Sequence, residues 1–208
     1  MAVASLSKFT VPLANNQSAD SQGLLMPKLQ YRFRANFVNF GISNQTNELT
    51  KQVVDIKRPN VTFTPVVLDV YNSKVYLQGK PEWQETTINL RDDATGAVTK
   101  LVGEQIQKQF DFLEQSSAAS GINYKFQLVF DVLDGGNGTV TPNVLESWEL
   151  DGCFLSSVDY GEMNYGTSDP VTIALTVKFD NAIQTVGGAV GSSTVGINST
   201  TLGTAITG

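Results

Sequence analysis

The chain has 208 residues, with 20 acidic and 14 basic side chains and a formal net charge of -6 at pH 7. It contains no histidine and one cysteine, which excludes a Ser/His/Asp triad, a Cys/His dyad, a histidine-ligated zinc site and an intramolecular disulfide. The acidic balance argues against a protein that grips nucleic acid, because duplex binding depends on Lys and Arg contacts to phosphates. We expect one folded domain with tails, and no apolar run approaches the roughly 18 residues of a membrane span.

The first quarter of the chain predicts an arm, a strand, a loop and a short second strand. Residues 1–27 are rich in Ser, Asn and Gln after the first dozen and predict an N-terminal arm. Residues 31–40 alternate apolar and polar side chains, which is typical of a half-buried strand. Residues 41–50 are polar and predict a loop, and residues 51–57 predict a short strand. We therefore expect the folded domain to begin near residue 28.

The next segment predicts a β-hairpin. Two β-rich runs, residues 61–70 and 74–77, flank residues 71–73 as the tip. Pro65 has no N–H to donate to a ladder and therefore indicates an edge or a bulge. A hairpin this apolar would be an aggregation hazard on a monomer. Either a second molecule covers it, or it folds back on its own domain.

The middle of the chain predicts a strand followed by one helix. Residues 80–93 place Ile88 and Leu90 on one side of a strand and polar side chains on the other. Residues 97–115 predict a helix, because apolar side chains recur at spacings of three and four. The two aspartates at residues 92–93 precede it, where acidic side chains favour a helix start. The predicted apolar stripe consists of Val98, Leu101, Val102, Ile106, Phe110 and Leu113.

The return half of the chain predicts paired strands. Residues 124–133 alternate, and the glycine-rich residues 134–138 predict a hairpin turn that needs no calcium or phosphate ligand. Residues 144–160 and 169–180 alternate again. We interpret Cys153 as a small apolar residue within a strand. The shared apolar parity predicts a core of Ile88, Leu90, Trp148, Leu150, Ile173, Leu175, Val177 and Phe179.

Several segments in a fixed order carry a resemblance to a known family. They are Arg58-Pro59-Asn60, the Trp83 strand with its Asp92-Asp93 end, the helix, the run from Leu145 to Phe154, and the strand from Thr172 to Asp180. None of these segments carries chemistry alone. Their order and spacing resemble the tail tube proteins of contractile-tailed bacteriophages over roughly residues 28–182. The resemblance implies a mainly β fold: an antiparallel β-barrel or sandwich with one flanking α-helix that covers an open side.

The resemblance implies a structural protein of the tail tube, with no enzymatic activity and no cofactor. Such subunits assemble with copies of themselves into hexameric rings, which stack into a tube whose lumen conducts genomic DNA into the host during tail contraction. The implied partners are the sheath protein, the baseplate and tail terminator proteins, and the tape measure protein, which fills the lumen before DNA. DNA would pass without specific binding, and no membrane is involved. The implied location is the virion tail, assembled in the host cytoplasm.

Two sets of candidate residues follow from the resemblance, together with a division of the chain. The polar side chains on the side of the strands opposite the predicted core are expected to face the lumen. They are Thr87, Asn89, Arg91, Glu149, Asp151, Thr172, Thr176 and Lys178. The hairpin is expected to contact the next ring through Val67, Asp69, Tyr71, Asn72, Lys74 and Tyr76. The tube domain would span residues 28–182. The arm at 1–27 and the Gly/Ser/Thr-rich extension at 183–208 are expected to clasp adjacent subunits or to face the sheath.

Two alternatives remain open at the level of sequence. The first is a tube protein of a type VI or extracellular contractile injection system, which would share the fold and differ in cargo. The second is a monomeric β-sandwich module that binds carbohydrate. Such a module would need exposed aromatic side chains, for which the candidates are Tyr71, Tyr76, Tyr160 and Tyr165.

Overall fold

The structure, a computed structural model, describes residues 5–10, 23–25, 27–43, 46–135, 141–188 and 190–191. In chain order the elements are β1 (Ser5–Thr10), β2 (Gly23–Leu25), β3 (Phe33–Val38), α1 (Thr46–Gln52), β4 (Val53–Ile56), β5 (Val61–Val70), β6 (Ser73–Trp83), β7 (Thr86–Arg91), α2 (Ala97–Gln109), β8 (Phe110–Asp111), β9 (Ser116–Ser117), a 3-10 turn (Gly121–Asn123), β10 (Phe126–Leu133), β11 (Val144–Asp159), β12 (Thr172–Lys178) and β13 (Asn181–Val186). All strand pairs are antiparallel.

The central sheet has the strand order β3-β10-β11-β12-β7-β4, and β13 also pairs with β11. The 16-residue strand β11 is shared between two regions. Its first half lies between β10 and β13, and its second half pairs with β12. The two regions are therefore β3-β10-β11-β13 and β11-β12-β7-β4. This architecture confirms the predicted mainly β, antiparallel fold with a flanking helix.

A bulge at Gly152 separates the two halves of β11. Between the pairs Phe126–Cys153 and Leu128–Leu150, β10 has one residue and β11 has two, so β11 carries one extra residue. Gly152 has φ 68, and a Cβ there would lie 2.2 Å from Oδ2 of Asp180. Only glycine satisfies both conditions without strain. Before the bulge, the buried apolar residue of β11 is at an even-numbered position, Leu150. After it, the buried residues are at odd-numbered positions, beginning with Cys153.

The apolar faces of both sheet regions meet in one core. Buried side chains from every strand of the central sheet except β4 join Val98, Leu101 and Val102 of α2 in a single cluster. Seven of the eight predicted core residues are buried; Trp148 is partly buried and packs against the cluster. Ser147 is also buried, and its hydroxyl donates to the carboxylate of Asp131 at 2.7 Å.

Helix α2 covers one end of the core and is shorter than predicted. It ends at Gln109, and Phe110 is already extended, with φ -151 and ψ 126. The short ladder between β8 and β9 replaces the last predicted turn. Phe110 and Leu113, assigned to the apolar stripe, are instead exposed. At the helix start, a carboxylate oxygen of Asp93 accepts from the N–H of Val98 at 3.2 Å, as the preceding acids indicated.

A short helix occupies part of the predicted polar loop. The prediction of a loop over residues 41–50 and a strand over 51–57 was wrong in this detail, since α1 spans Thr46–Gln52 and β4 begins at Val53. Leu49 is fully buried in the core. Because it is the only large apolar residue in α1, the segment shows no periodicity by which the helix could have been predicted.

Several expectations concern segments at the margins of the described residues. Residues 136–140, which include the last three residues of the predicted turn at 134–138, lie outside them, although β10 and β11 on either side pair as a hairpin requires. Within the arm, β1 and β2 pair with each other. Strand β13 crosses the boundary placed before residue 183, and residues 192–208 lie outside the described part.

The core assignment predicts different costs for two truncations. Leu150→Ala removes a fully buried side chain and should lower the free energy of unfolding by about 2–5 kcal/mol. Thr87→Ala, at an exposed position of β7, should change it by less than about 0.5 kcal/mol. Urea unfolding of both variants, followed by tryptophan fluorescence, measures the difference. Equal stability of the two variants would contradict the assignment.

Candidate assembly surfaces

Strands β5 and β6 form a long hairpin that projects from the domain. They pair from Val61–Trp83 at the base to Val70–Ser73 at the tip. Every residue from Thr62 to Gln78 is exposed. The predicted hairpin is confirmed, and it does not fold back onto the described part of its own domain. Its length and exposure leave a large apolar surface in water.

The hairpin has one mainly aliphatic face, on which Ser73 at the tip is the polar member. Residues paired across an antiparallel ladder point to the same side, so the pairs Val66–Leu77 and Leu68–Val75 share a face with Val70. We call Val66, Leu68, Val70, Val75 and Leu77 the hairpin apolar face. Each is 45–50% exposed. Since burying an aliphatic side chain completely contributes about 1.5–3 kcal/mol, covering this half-exposed face would contribute several kcal/mol.

The hairpin residues singled out from the sequence lie on the other face and at the tip. Val67 pairs with Tyr76, and Asp69 pairs with Lys74, so this face is mixed in polarity. Tyr71 at the turn is fully exposed and has φ 41. Whether these residues contact a neighbour stays a prediction. The aliphatic face was missed as a unit, although the spacing of Val66, Leu68 and Val70 by two residues indicates it.

The ladder is irregular at the position that Pro65 indicated. Between the pairs Phe63–Pro81 and Pro65–Gln78, β6 carries one more residue than β5. Gly79 lies in this bulge, where a Cβ would come within 2.0 Å of the carbonyl oxygen of Thr64. Such a bulge bends the strands. It also shifts the alternation of side chains, so the two faces of the hairpin near its tip do not continue unchanged to its base.

A buried carboxylate lies near the base of the hairpin. Glu146, whose side chain is 7% exposed, accepts from Nζ of Lys28 at 2.5 Å and from Nε1 of Trp148 at 2.6 Å. Arg58, just before β5, lies 3.7 Å from the same carboxylate. Desolvation, the largest influence, would raise the pKa of Glu146, but these hydrogen bonds and positive charges together hold the pKa below its ordinary value. The cluster ties the chain leading into the hairpin to β11.

A polar surface covers the outer side of β12 and β7. Its cross-strand pairs are Thr176–Thr87, Ala174–Asn89 and Thr172–Arg91. Six of the eight residues predicted for the lumen lie on these two strands, and they are Thr87, Asn89, Arg91, Thr172, Thr176 and Lys178. We call these six the β12–β7 polar face. One of its two charges has an acidic partner: Nζ of Lys178 lies 3.8 Å from a carboxylate oxygen of Glu82.

The other two predicted lumen residues lie on the other sheet region. Glu149 and Asp151 belong to the half of β11 between β10 and β13. The amide of Gln127 donates to both carboxylates, at 2.8 Å to Asp151. The structure thus divides the eight candidates between two surfaces. The sequence prediction assumed that side chains alternate without interruption along β11, but the bulge at Gly152 interrupts the alternation.

One strand edge of the sheet is capped by a side chain. On the edge of β11 away from β12, the amide of Gln109 donates to the carbonyl oxygen of Leu155 at 3.0 Å and accepts from its N–H at 2.9 Å. These bonds replace those that a further strand would make. Among the described strands, β3 and β4 end the sheet path with their outer edges unpaired.

Within the described residues, no side-chain group with metal-binding or nucleophilic chemistry stands out. Cys153 is fully buried, and burial raises the pKa of its thiol to about 12. No group of three or more cysteine or acidic side chains in the described ranges could hold a metal ion. Among those same residues there is no helix with the length and apolar character needed to cross a membrane.

Comparison with known proteins identifies the fold. No family model and no curated protein matches the chain. Solved structures do match: a chain of the anti-feeding prophage baseplate has 13% identity and a TM-score of 0.55, and the alignment covers 79% of this chain and 99% of that chain. The chain has a tail-tube-like fold.

Two further structures support the tail-tube-like fold. A chain of the sheath-tube complex of PVC, an extracellular contractile injection system, matches with 12% identity, a TM-score of 0.54 and coverage of 77% and 92% of the two chains. A chain of the anti-feeding prophage cap, a tube terminating cap, matches with 11% identity, a TM-score of 0.56 and the same coverage. At these identities the likeness concerns the fold alone.

The lowered pKa of Glu146 predicts a pH-dependent contribution to stability. A carboxylate whose pKa is lower in the folded than in the unfolded state stabilises the fold above the unfolded value, and this stabilisation is lost as pH falls through the folded value. Glu146→Gln should be less stable than the wild type by about 1–3 kcal/mol at pH 6, with the difference shrinking toward pH 3. Urea unfolding at a series of pH values measures it. A difference that stays constant over this range would contradict the role of the ionised carboxylate.

Proposed function

We propose that the protein is a structural subunit of the tube of a contractile tail, which assembles with copies of itself into stacked hexameric rings. The observation that carries the proposal is the hairpin apolar face, which projects into water and requires a cover. The tail-tube-like fold supports the same conclusion. The protein's role would then be to form a conduit.

Unpaired strand edges give a physical route to assembly. A contact between two different surfaces of the same chain is head-to-tail, and such contacts close into rings when the rotation allows. Among the described strands, the outer edges of β3 and β4 have no partner, and neither do the two outer edges of the β5–β6 hairpin. Pairing these edges between subunits would remove the hazard that each presents on a monomer.

We assign the lumen to the β12–β7 polar face. Hydroxyl and amide groups dominate this surface, and it carries no aromatic side chain. Such a wall offers few strong contacts to a passing polymer. The two charges on this face, Arg91 and Lys178, are basic, and Lys178 lies 3.8 Å from the carboxylate of Glu82. At longer range, the net charge of -6 for the chain would repel a phosphate backbone weakly at physiological salt. Passage of DNA without specific binding is therefore part of the proposal.

The phage tail tube is the leading candidate, with the sheath, baseplate, terminator and tape measure proteins as partners, in a virion tail assembled in the host cytoplasm. A tube of an extracellular contractile injection system is the second candidate, because the matching folds come from such systems. The fold is common to both. Capsid and terminase genes beside this gene would favour the phage tail, and effector genes in their place would favour the injection system.

The monomeric carbohydrate-binding module receives less support from the structure. Tyr71 and Tyr76 lie on the hairpin, whereas Tyr160 and Tyr165 lie in the segment between β11 and β12. The four side chains are therefore carried by separate parts of the chain. A binding platform would need their rings on one concave surface.

Two adjacent hairpin residues test which face makes the contact. Leu68 and Val67 are 46% and 45% exposed but point to opposite faces. Leu68→Asp should abolish assembly, because it would bury an unpaired charge in the contact, whereas Val67→Asp should assemble more nearly like the wild type. Sedimentation of assembled protein measures both. The reverse order would assign the contact to the mixed face, and assembly of both variants would overturn the role of the hairpin.

Cysteine accessibility tests the lumen assignment. In assembled tubes, Thr176→Cys should react slowly with a maleimide too bulky to enter the channel, and at normal rate with a small maleimide. Glu149→Cys, on the other sheet region, serves as the comparison, and the buried Cys153 gives little background. Protection of position 149 with rapid labelling of position 176 would place the lumen on the opposite sheet region.

A further inference from the structure

The central sheet leaves an open seam between its two end strands. A cavity of about 830 Å³ lies between β3 and β4. Phe33, Phe130 and Val132 line one side, and Val54 and Ile56 of β4 line the other. The lining is mainly apolar in these strands. We call this cavity the seam groove.

The seam groove is flanked by unpaired backbone. Among the described strands, β3 pairs only with β10 and β4 only with β7. Their outer edges therefore offer N–H and C=O groups that an added strand could bond. Strands inserted between them would continue the sheet from β3 to β4.

The charged side chains at the seam groove already have polar or charged partners. Lys28 and Arg58 both lie at the groove, and both pair with the carboxylate of Glu146 at 2.5 and 3.7 Å. Glu146 balances one of these two positive charges, and the carboxylate of Asp55, which also lines the groove, accepts hydrogen bonds from the amide of Asn89. An apolar segment entering the groove would therefore cover charges that already have partners, which lowers the electrostatic cost of filling it.

The chain itself carries a segment with the matching features. Among the described strands the hairpin has two free outer edges and one mainly aliphatic face, and nothing in the described part of its own subunit covers that face. From the bulge to the tip each strand has six or seven residues, which span about 20 Å. The hairpin therefore reaches well beyond its own domain.

We propose that the seam groove is the receptor for the β5–β6 hairpin of a second copy of this chain. This inference rests on the proposed function, which requires contact between copies, and specifies the surface that receives the hairpin. Outer-edge hydrogen bonds from the hairpin to β3 or β4 would position it, and the hairpin apolar face would pack on the apolar lining.

A head-to-tail contact fits a growing assembly better than a symmetric one. If two hairpins paired face to face, the contact would be isologous and would close at a dimer. It would also leave the seam groove and the free edges of β3 and β4 unfilled. Insertion of a hairpin into a groove uses two different surfaces on each subunit, so every added copy brings a new hairpin and a new groove.

A mixing experiment separates the two arrangements. Leu68→Asp damages the hairpin, and Val54→Asp places a charge in the seam groove at a side chain that is 41% exposed. Each variant alone should remain monomeric in sedimentation velocity. An equimolar mixture should form a 1:1 heterodimer, because the intact hairpin of the Val54 variant can enter the intact groove of the Leu68 variant. Tryptophan fluorescence and circular dichroism confirm that both variants are folded.

Disulfide trapping gives a second measurement that does not depend on stable assembly. Mixed Leu68→Cys and Val54→Cys proteins should form a heterodimeric disulfide under mild oxidation, while Cys153 is buried in both. A disulfide between two Leu68→Cys chains, with none between positions 54 and 68, would show face-to-face pairing of hairpins and overturn the inference.

The outcomes distinguish this inference from the proposed function. If the wild type and Val54→Asp both form rings or tubes, the tube stands and the groove is not the receptor. If the N-terminal strands of the same subunit cover the seam groove, the groove is likewise not the receptor for the hairpin. If the wild type forms no rings and no pair of positions cross-links, both the inference and the tube are overturned.

Discussion

The bulge at Gly152 is the constraint on which the rest of the fold depends. It lets one 16-residue strand serve two sheet regions, with β10 and β13 on one half and β12 on the other. The carboxylate of Asp180 occupies the space that a Cβ at position 152 would take. Because the bulge also changes the buried parity of β11, both regions present apolar side chains to a common core and polar side chains to their outer surfaces.

The same topology leaves the domain incomplete as a monomer. Among the described strands, its sheet path ends at two strands whose outer edges are unpaired, and the hairpin apolar face carries five aliphatic side chains into water. At one further strand edge, the side-chain amide of Gln109 bonds the backbone N–H and C=O of Leu155 in place of another strand. The edges left open are those that a neighbouring copy could use, and this selective exposure is the physical basis of the proposed assembly.

Alternation along strands made much of this fold predictable from the sequence. In β7 and β12, period-two patterns assigned the buried and exposed sides correctly, because each is a regular strand with one face in the core. The hairpin and its irregularity at Pro65 were predictable for similarly local reasons.

The errors arose where a distant contact overrides the local pattern. Helix α1 depends on the burial of Leu49, and α2 stops before Phe110 because the chain turns to pair with Ser117. Glu146 lies on the apolar parity and is buried by partners more than 80 residues away along the chain. The Gly152 bulge separates Glu149 and Asp151 from the other lumen candidates. None of these contacts leaves a short-range pattern in the sequence.

Negative-stain electron microscopy of the purified wild-type protein, over a range of protein and salt concentrations, shows whether the subunits assemble. We expect rings or hollow tubes, because assembly would cover the hairpin and pair the free edges of the described strands. A protein that stays monomeric at all concentrations, even when supplied with preformed tube ends as a nucleus, would contradict the proposed assembly.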